Sequence, residues 1–193
     1  MKTKKWFLMI IVVVLSIALL SGLFVHQTKQ GINLKCFSYL IRDVEQLELN
    51  DYIDNCSDEN NNDFLYLRTK NRFPSKSAKD YREIVLYADF KNKSLLEYTL
   101  YDSYISDITE DSIVCFAITN TSGDTIDSTT NEKYVPVITL FVYVGEHEIT
   151  EIETYLDNLV IDTYFYNRLF KNIKYTYFLG DEKIEELSKN PYE

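Results

Sequence analysis

WFLMIIVVVLSIALLSGLFV, residues 6–25, carries no charged side chain and is broken only by Ser16, Ser21 and Gly22. Wound as an α-helix at about 1.5 Å per residue, a stretch of this length reaches about 30 Å, the thickness of a bilayer's hydrocarbon core. It divides the chain into a basic N-terminal tail (1–5), an expected transmembrane signal-anchor (6–25) and an acidic remainder (26–193). A cleaved signal has an apolar region of about 7–15 residues followed by a small-x-small site. Here the run is longer. Ser16-Ile17-Ala18 lies inside it, and Leu20-Ser21-Gly22 has a bulky first member. An uncleaved anchor is therefore expected, with a removed signal as the alternative. No cysteine follows Ser21 before Cys36, which argues against a lipoprotein.

Lys2, Lys4 and Lys5 precede the run, and Lys29 and Lys35 follow it. Basic residues are retained on the cytoplasmic side, so the expected orientation places the N-terminus in the cytoplasm and residues 26–193 outside. The inverted orientation is the alternative.

Removing the first 25 of 193 residues leaves 168, enough for one domain with a sizeable core. This part holds 17 basic and 30 acidic side chains, a formal charge of −13. Such a domain repels phosphate backbones, so nucleic acid is excluded as a partner. Anionic headgroups would repel it too, and it is expected to stand off the membrane. The bland reading of the charge is solubility. The chain has 16 Tyr and 11 Phe against 5 Gly and 3 Pro, a composition that suits strands and not a flexible stalk. Tyr supplies apolar area with one hydroxyl, and either fills half-buried strand positions or marks an interaction surface.

The periodicity gives an α+β domain dominated by an antiparallel sheet with flanking helices. An all-β sandwich is the runner-up if residues 148–179 are strand throughout. Leu34, Phe37, Leu40, Ile41, Val44 and Leu47 fall at helical spacings and predict an amphipathic helix over 33–49, capped by Asn33. Tyr81–Phe90 alternates, with Ile84, Leu86, Ala88 and Phe90 on one face. Strands are also expected at Phe64–Arg68, Leu95–Ile105, Ser112–Thr119 and Tyr134–Val144. Ser112–Thr119 is apolar on both faces and so central. A turn is expected at Pro74 and a long polar loop over Asn120–Lys133. The C-terminal part predicts a helix near Glu148–Leu159, strand character up to Leu179, and a short terminal helix over Asp181–Lys189.

Candidate chemistry is sparse. Gly145-Glu146-His147-Glu148-Ile149-Thr150-Glu151 resembles half of a His-Glu-x-x-His zinc helix, but Glu151 stands where the second imidazole belongs. His26 is the only other histidine, so no mononuclear zinc site is expected. Asp54–Asp63 alternates Asp and Asn like a calcium loop, yet its sixth position is Glu59 and its twelfth Leu65, where an EF-hand has Gly and Glu. No nucleophile elbow, phosphate-cradling glycine loop or supported Cys–His pair is present, and Glu110-Asp111 alone does not define a glycosidase pair. No cofactor is implied.

Three cysteines cannot all pair within one chain. Cys36 and Cys56 border polar segments and are the pair available for a disulfide, while Cys115 is expected to be buried and inert. Asn55, Asn92 and Asn120 head Asn-x-Ser sequons in expected turns. The resulting functional expectation is a non-enzymatic, membrane-anchored interaction or accessory factor acting on a protein partner at the membrane surface. Two rivals are a ligand-binding or sensory ectodomain, which needs a deep apolar pocket, and a hydrolase, which needs His147 in a cleft with a carboxylate and a nucleophile.

Overall fold

The computed structural model describes residues 2–28, 31–55, 64–66, 73–94, 96–106, 113–119, 125–127, 131–145, 149–167 and 173–192. Helix α1 (Lys2–Thr28) contains the apolar run, and its window Met9–His26 has a mean hydropathy of 2.6. Its described apolar side chains are exposed, so this is not the core helix of a soluble domain. It is long and apolar enough to cross a membrane.

The remainder is α+β, rich in strand and mainly antiparallel. A six-stranded sheet has the order β10-β1-β3-β7-β5-β2, and a four-stranded sheet the order β6-β4-β8-β9. In chain order the strands are β1 (Ile32–Asp43), β2 (Phe64–Tyr66), β3 (Tyr81–Asn92), β4 (Tyr98–Ile105), β5 (Val114–Thr119), β6 (Thr125–Ile126), β7 (Asn131–Tyr143), β8 (Val160–Tyr166), β9 (Ile173–Phe178) and β10 (Ile184–Glu186). Helices α2 (Gln46–Asn55) and α3 (Ile149–Asp157) flank them.

The two sheets share one core. Ile84, Leu86, Ala88 and Phe90 of β3 and Ile138 and Leu140 of β7 meet Leu100 and Ile105 of β4 and Ile161 and Phe165 of β8. Period-two alternation is what sends these residues to one face. Phe90 and Phe165 meet edge to face at 5.2 Å. Helix α3 adds Ile152 and Leu156 to this core. A second core lies on the other face of the large sheet, where α2 and residues 73–80 cover Tyr81, Phe116 and Phe141. The runner-up architecture is thus right about two facing sheets, while the two covering helices make the domain α+β.

Three expectations fail. The helix predicted over 33–49 is instead strand β1, with α2 beginning only at Gln46. The reason is a bulge between Leu34 and Cys36, which slips the period-two phase by one residue. Ile32 and Leu34 precede the slip and Phe37, Tyr39 and Ile41 follow it, all in the inter-sheet core, so a strand with a phase slip imitates helical spacing. The helix predicted over Asp181–Lys189 is β10, which pairs in parallel with β1 through Phe37–Ile184 and Tyr39–Glu186. Its backbone satisfies an edge of β1, and Leu187 N–H donates to Tyr39 C=O at 2.8 Å. The loop predicted over Asn120–Lys133 contains β6 and the start of β7, and Ile126 within it is fully buried. The helix near Glu148–Leu159 and the later strand character are present as α3, β8 and β9. Ser112–Thr119 appears as β5, held between β7 and β2.

Where α1 hands over to the domain, Gly31 adopts φ +64, a left-handed conformation that glycine tolerates. A Cβ there would meet the Tyr175 hydroxyl at 2.7 Å. Gly31 C=O accepts from Lys93 N–H at 3.1 Å, and Ile32 N–H donates to the Tyr175 hydroxyl at 3.4 Å. The entry point is therefore tied to both sheets.

Candidate functional site

The four-stranded sheet has one face in the core and one in water. Cross-strand rows set the outer face: Tyr104 opposite Asp162 and Thr176, Asp102 opposite Tyr164 and Lys174, Thr99 opposite Tyr166, and Val160 opposite Phe178. A bulge between Leu100 and Asp102 leaves Tyr101 outside the pairing. Four aromatic side chains here are well exposed: Tyr101 at 36%, Tyr104 at 41%, Tyr166 at 40% and Phe178 at 55%. Half-buried Tyr164 joins them, with ring centroids 6.0 Å from Tyr101 and 5.6 Å from Tyr104. Tyr101, Tyr164 and Tyr104 thus form a run of neighbouring rings, and exposed aromatic surface of this kind characterises contact sites.

Polar groups are set into the aromatic face. The Tyr104 hydroxyl donates to Asp102. Asp162 is nearly buried, with Lys174 Nζ 2.8 Å from Oδ2 and Thr176 donating to Oδ1. Burial pushes the Asp162 pKa up, but the bonds from Lys174 and Thr176 and the lysine's charge outweigh it and hold it below the ordinary carboxylate value. Lys174 in turn lies 5.8 Å from the Tyr164 ring centroid. A depressed folded pKa contributes stability above the unfolded value, about 3.9, that is lost as pH falls through the folded value. Lys174→Met is therefore expected to lower Tm at pH 7, and the gap to the parent should close in acid, below the ordinary carboxylate range, once Asp162 is protonated. An equal gap at both pH values in thermal scans would show that the ion pair is not its source.

Residues singled out in the sequence do not converge. His147 and Glu148 lie outside the described residues. Glu151 is exposed on α3, and His26 is exposed near the end of α1. Among the described residues no group of three His, Cys, Asp or Glu side chains is placed to hold a metal. Asp54 and Asn55 end α2, and the rest of the calcium-like loop up to Asp63 lies outside the described residues, as do Glu110 and Asp111. Cys36 is half-buried on β1 and has no disulfide partner among the described residues; the pKa of its thiol is raised by burial and then by Asp89. Cys56 lies outside the described residues, so the Cys36–Cys56 pair remains an expectation. Cys115 is buried on β5.

Two other places were candidates. A cleft of about 240 Å³ between α3 and the β1/β10 edge is lined by Tyr39, Leu156, Ile184 and the carboxylates Glu153, Asp157 and Glu186. It is smaller than typical ligand pockets of about 300–1,000 Å³ and mixes apolar walls with like charges. In the inter-sheet core, Ser103 Oγ, Thr163 Oγ1 and Tyr177 OH are buried without a hydrogen-bond partner. Burial raises the Tyr177 pKa, and the Thr163 hydroxyl opposes this without reaching hydrogen-bond geometry. No imidazole or carboxylate in the described core activates these hydroxyls.

The outer aromatic row was hidden in the composition. Tyr-richness was visible, but not which tyrosines are exposed. The available signal is Thr163-Tyr164-Phe165-Tyr166, where aromatics occupy both phases of a period-two pattern, so that one phase must face away from the core.

The chain matches no protein-family model and no curated protein. The class defined by fold and site is therefore an α+β domain of two facing sheets, preceded by an apolar helix and displaying an aromatic sheet face.

Proposed function

We propose that this is a single-pass membrane protein whose extracytoplasmic domain binds a protein partner at the membrane surface and does not act as an enzyme. Helix α1, exposed and strongly apolar over Met9–His26, supports the anchor. The lysines before it support a cytoplasmic N-terminus. The observation that carries the binding reading is the aromatic outer face of the four-stranded sheet. Tyr is favoured at interface hot spots because it supplies large area at small conformational cost, with a hydroxyl for orientation. Anchoring confines the domain to one surface and raises the effective concentration of any partner in the same membrane, so a patch of modest size suffices. The formal −13 charge favours a partner with a basic surface, and salt should slow association.

The test is a photo-crosslinking amino acid at Tyr104 or Tyr166 of the full-length protein in native membranes, with Lys76, on the far side of the domain, as control. A discrete adduct at both tyrosine positions, absent at Lys76 and abolished by Tyr101→Ser/Tyr164→Ser, is expected. Identical adducts at all positions, or none at the sheet face, would refute the assignment.

A further inference from the structure

We infer that the cleft between α3 and the β1/β10 edge is a receptor for one arginine side chain of a partner protein. The inference takes from the reading above only that the partner is a protein. Its site is separate from the aromatic sheet face.

Local geometry assembles the site. Glu153, Leu156 and Asp157 stand three and four positions apart on α3, so they share one helix face. Ile184 and Glu186 share one face of β10 by period-two alternation, and Tyr39 of β1 stands opposite Glu186. These six residues line the cavity of about 240 Å³. Backbone bonds hold its walls in place. Phe37 N–H donates to Lys183 C=O at 2.9 Å and Leu187 N–H to Tyr39 C=O at 2.8 Å, which fixes β10 on β1. Leu179 N–H donates to Leu159 C=O at 2.9 Å, and a Cβ at Gly180 would lie 2.4 Å from the Asp157 carbonyl oxygen. The last turn of α3 is therefore seated directly against Leu179-Gly180.

The chemistry points to a cation with an apolar stem. Leu156 is buried and Ile184 half-buried, while Glu153, Asp157 and Glu186 are exposed around them. Among the described residues no lysine or arginine forms a salt bridge with these three carboxylates. Lys183 and Lys189 flank β10, but Lys183 pairs with Glu185 on the opposite face, and neither lines the cleft. The last turn of α3 adds the negative end of its helix dipole. Carboxylates alone would be an ordinary solvated surface; Tyr39 distinguishes this one. Only 7% of it is exposed, yet its hydroxyl makes no hydrogen bond among the described residues. Burial raises its pKa, and Glu186, Glu153 and Asp157 raise it further, so the hydroxyl stays protonated beside three negative charges. Buried polar groups are ordinarily paired, and a hydroxyl so placed is one that a cationic donor would complete. The described carboxylates form no group able to hold a metal ion, so the cation must span separated acceptors. Guanidinium does so with five N–H donors in a planar fork, while its methylene stem lies on Leu156 and Ile184. Lysine brings a compact point charge and reaches fewer of them. The volume suits one side chain and not a drug-sized ligand.

The experiment is fluorescence anisotropy of three short peptides carrying an uncharged dye, titrated with full-length protein in non-ionic detergent. The peptides differ at one position, which is arginine, lysine or citrulline, the neutral isostere of arginine. The arginine peptide should bind tightest, with lysine roughly threefold and citrulline about tenfold or more weaker. Glu153→Gln/Asp157→Asn should weaken the arginine peptide about tenfold, and Tyr39→Phe about threefold, with circular dichroism unchanged. Glu48→Gln/Asp51→Asn removes the same charge on α2 and should change the affinity less than about twofold. Equal affinity for arginine and citrulline, equal losses in the α3 and α2 variants, or full affinity in Tyr39→Phe would overturn the assignment. Should Tyr39→Phe unfold, the exposed carboxylate variants decide alone. Crosslinking at Tyr104 and Tyr166 tests the aromatic face independently: adducts there, with arginine and citrulline peptides bound alike, would leave the protein-partner reading standing and remove the cleft from it.

Discussion

Replacing Phe141 by alanine is expected to destabilise the domain by about 3–5 kcal/mol, the range for deleting a fully buried aromatic side chain. Phe141 lies on β7 and is 1% exposed. It sits at the centre of the second core. Its ring stacks on Phe116 at 4.8 Å and on Tyr81 at 5.1 Å, and meets Tyr52 of α2 edge-on at 5.0 Å. Removing it leaves a cavity with partners on all these sides, which a β-sheet wall and a helix cannot both close. Tyr81 is further pinned by donating its hydroxyl to Ser75 C=O at 2.7 Å, and burial pushes its pKa up to about 12. Urea unfolding of Phe141→Ala against the parent measures the loss. A cost under about 1 kcal/mol would mean that the α2 layer is not cooperative with the sheets.

Asn92→Asp is expected to destabilise by about 3 kcal/mol or more at pH 7, since it places an uncompensated charge in a buried site. Asn92 is fully buried at the end of β3. Its Nδ2 donates to the carbonyls of Leu96 at 2.7 Å, Ile126 at 3.1 Å and Asp127 at 2.9 Å, and its Oδ1 accepts from Ser94 N–H at 2.8 Å. Two N–H hydrogens are shared among three carbonyls, and together they tie the β3–β4 turn to β6. An aspartate would turn a carboxylate oxygen toward those three acceptors. Its protonated form, which still donates one bond, is favoured, so its folded pKa rises above the unfolded value of about 3.9. Stability is then present below the unfolded pKa and lost as pH rises through the folded one, the opposite sense to Asp162. Unfolding curves from pH 3 to 8 should show the variant approaching the parent only in acid, while Asn92→Ala should be destabilised at every pH. A pH-independent loss in Asn92→Asp would refute this account. The same geometry explains why the Asn92 sequon does not mark a glycan site in this fold: the nitrogen a glycan would occupy is spent on three backbone carbonyls.

The two cases show which parts of the molecule local reading reaches. Ile84, Leu86, Ala88 and Phe90 alternate without interruption, and β3 is recovered from them almost to its ends. The α3 stripe and the doubly apolar β5 are equally local. Lys91-Asn92-Lys93-Ser94 reads as a polar turn, yet only its contacts with residues more than thirty positions away reveal Asn92 as a buried structural amide.

From the sequence alone come the apolar helix and its capacity to span a bilayer, the strand-rich character, the burial of Cys115, the acidic balance and the absence of recognisable catalytic motifs. These are properties of composition and of short windows, and a chain carries them before it folds. Tertiary structure decided that residues 32–43 are strand, that 184–186 complete the sheet, that the strands divide into two facing layers, and which tyrosines are exposed on the outer face of the four-stranded sheet. Those outcomes depend on pairings across the length of the chain, such as Ile32 with Tyr175 and Phe37 with Ile184. A one-residue bulge or a distant edge strand reverses a local preference there, because backbone pairing and core burial outweigh propensities of a fraction of a kcal/mol per residue.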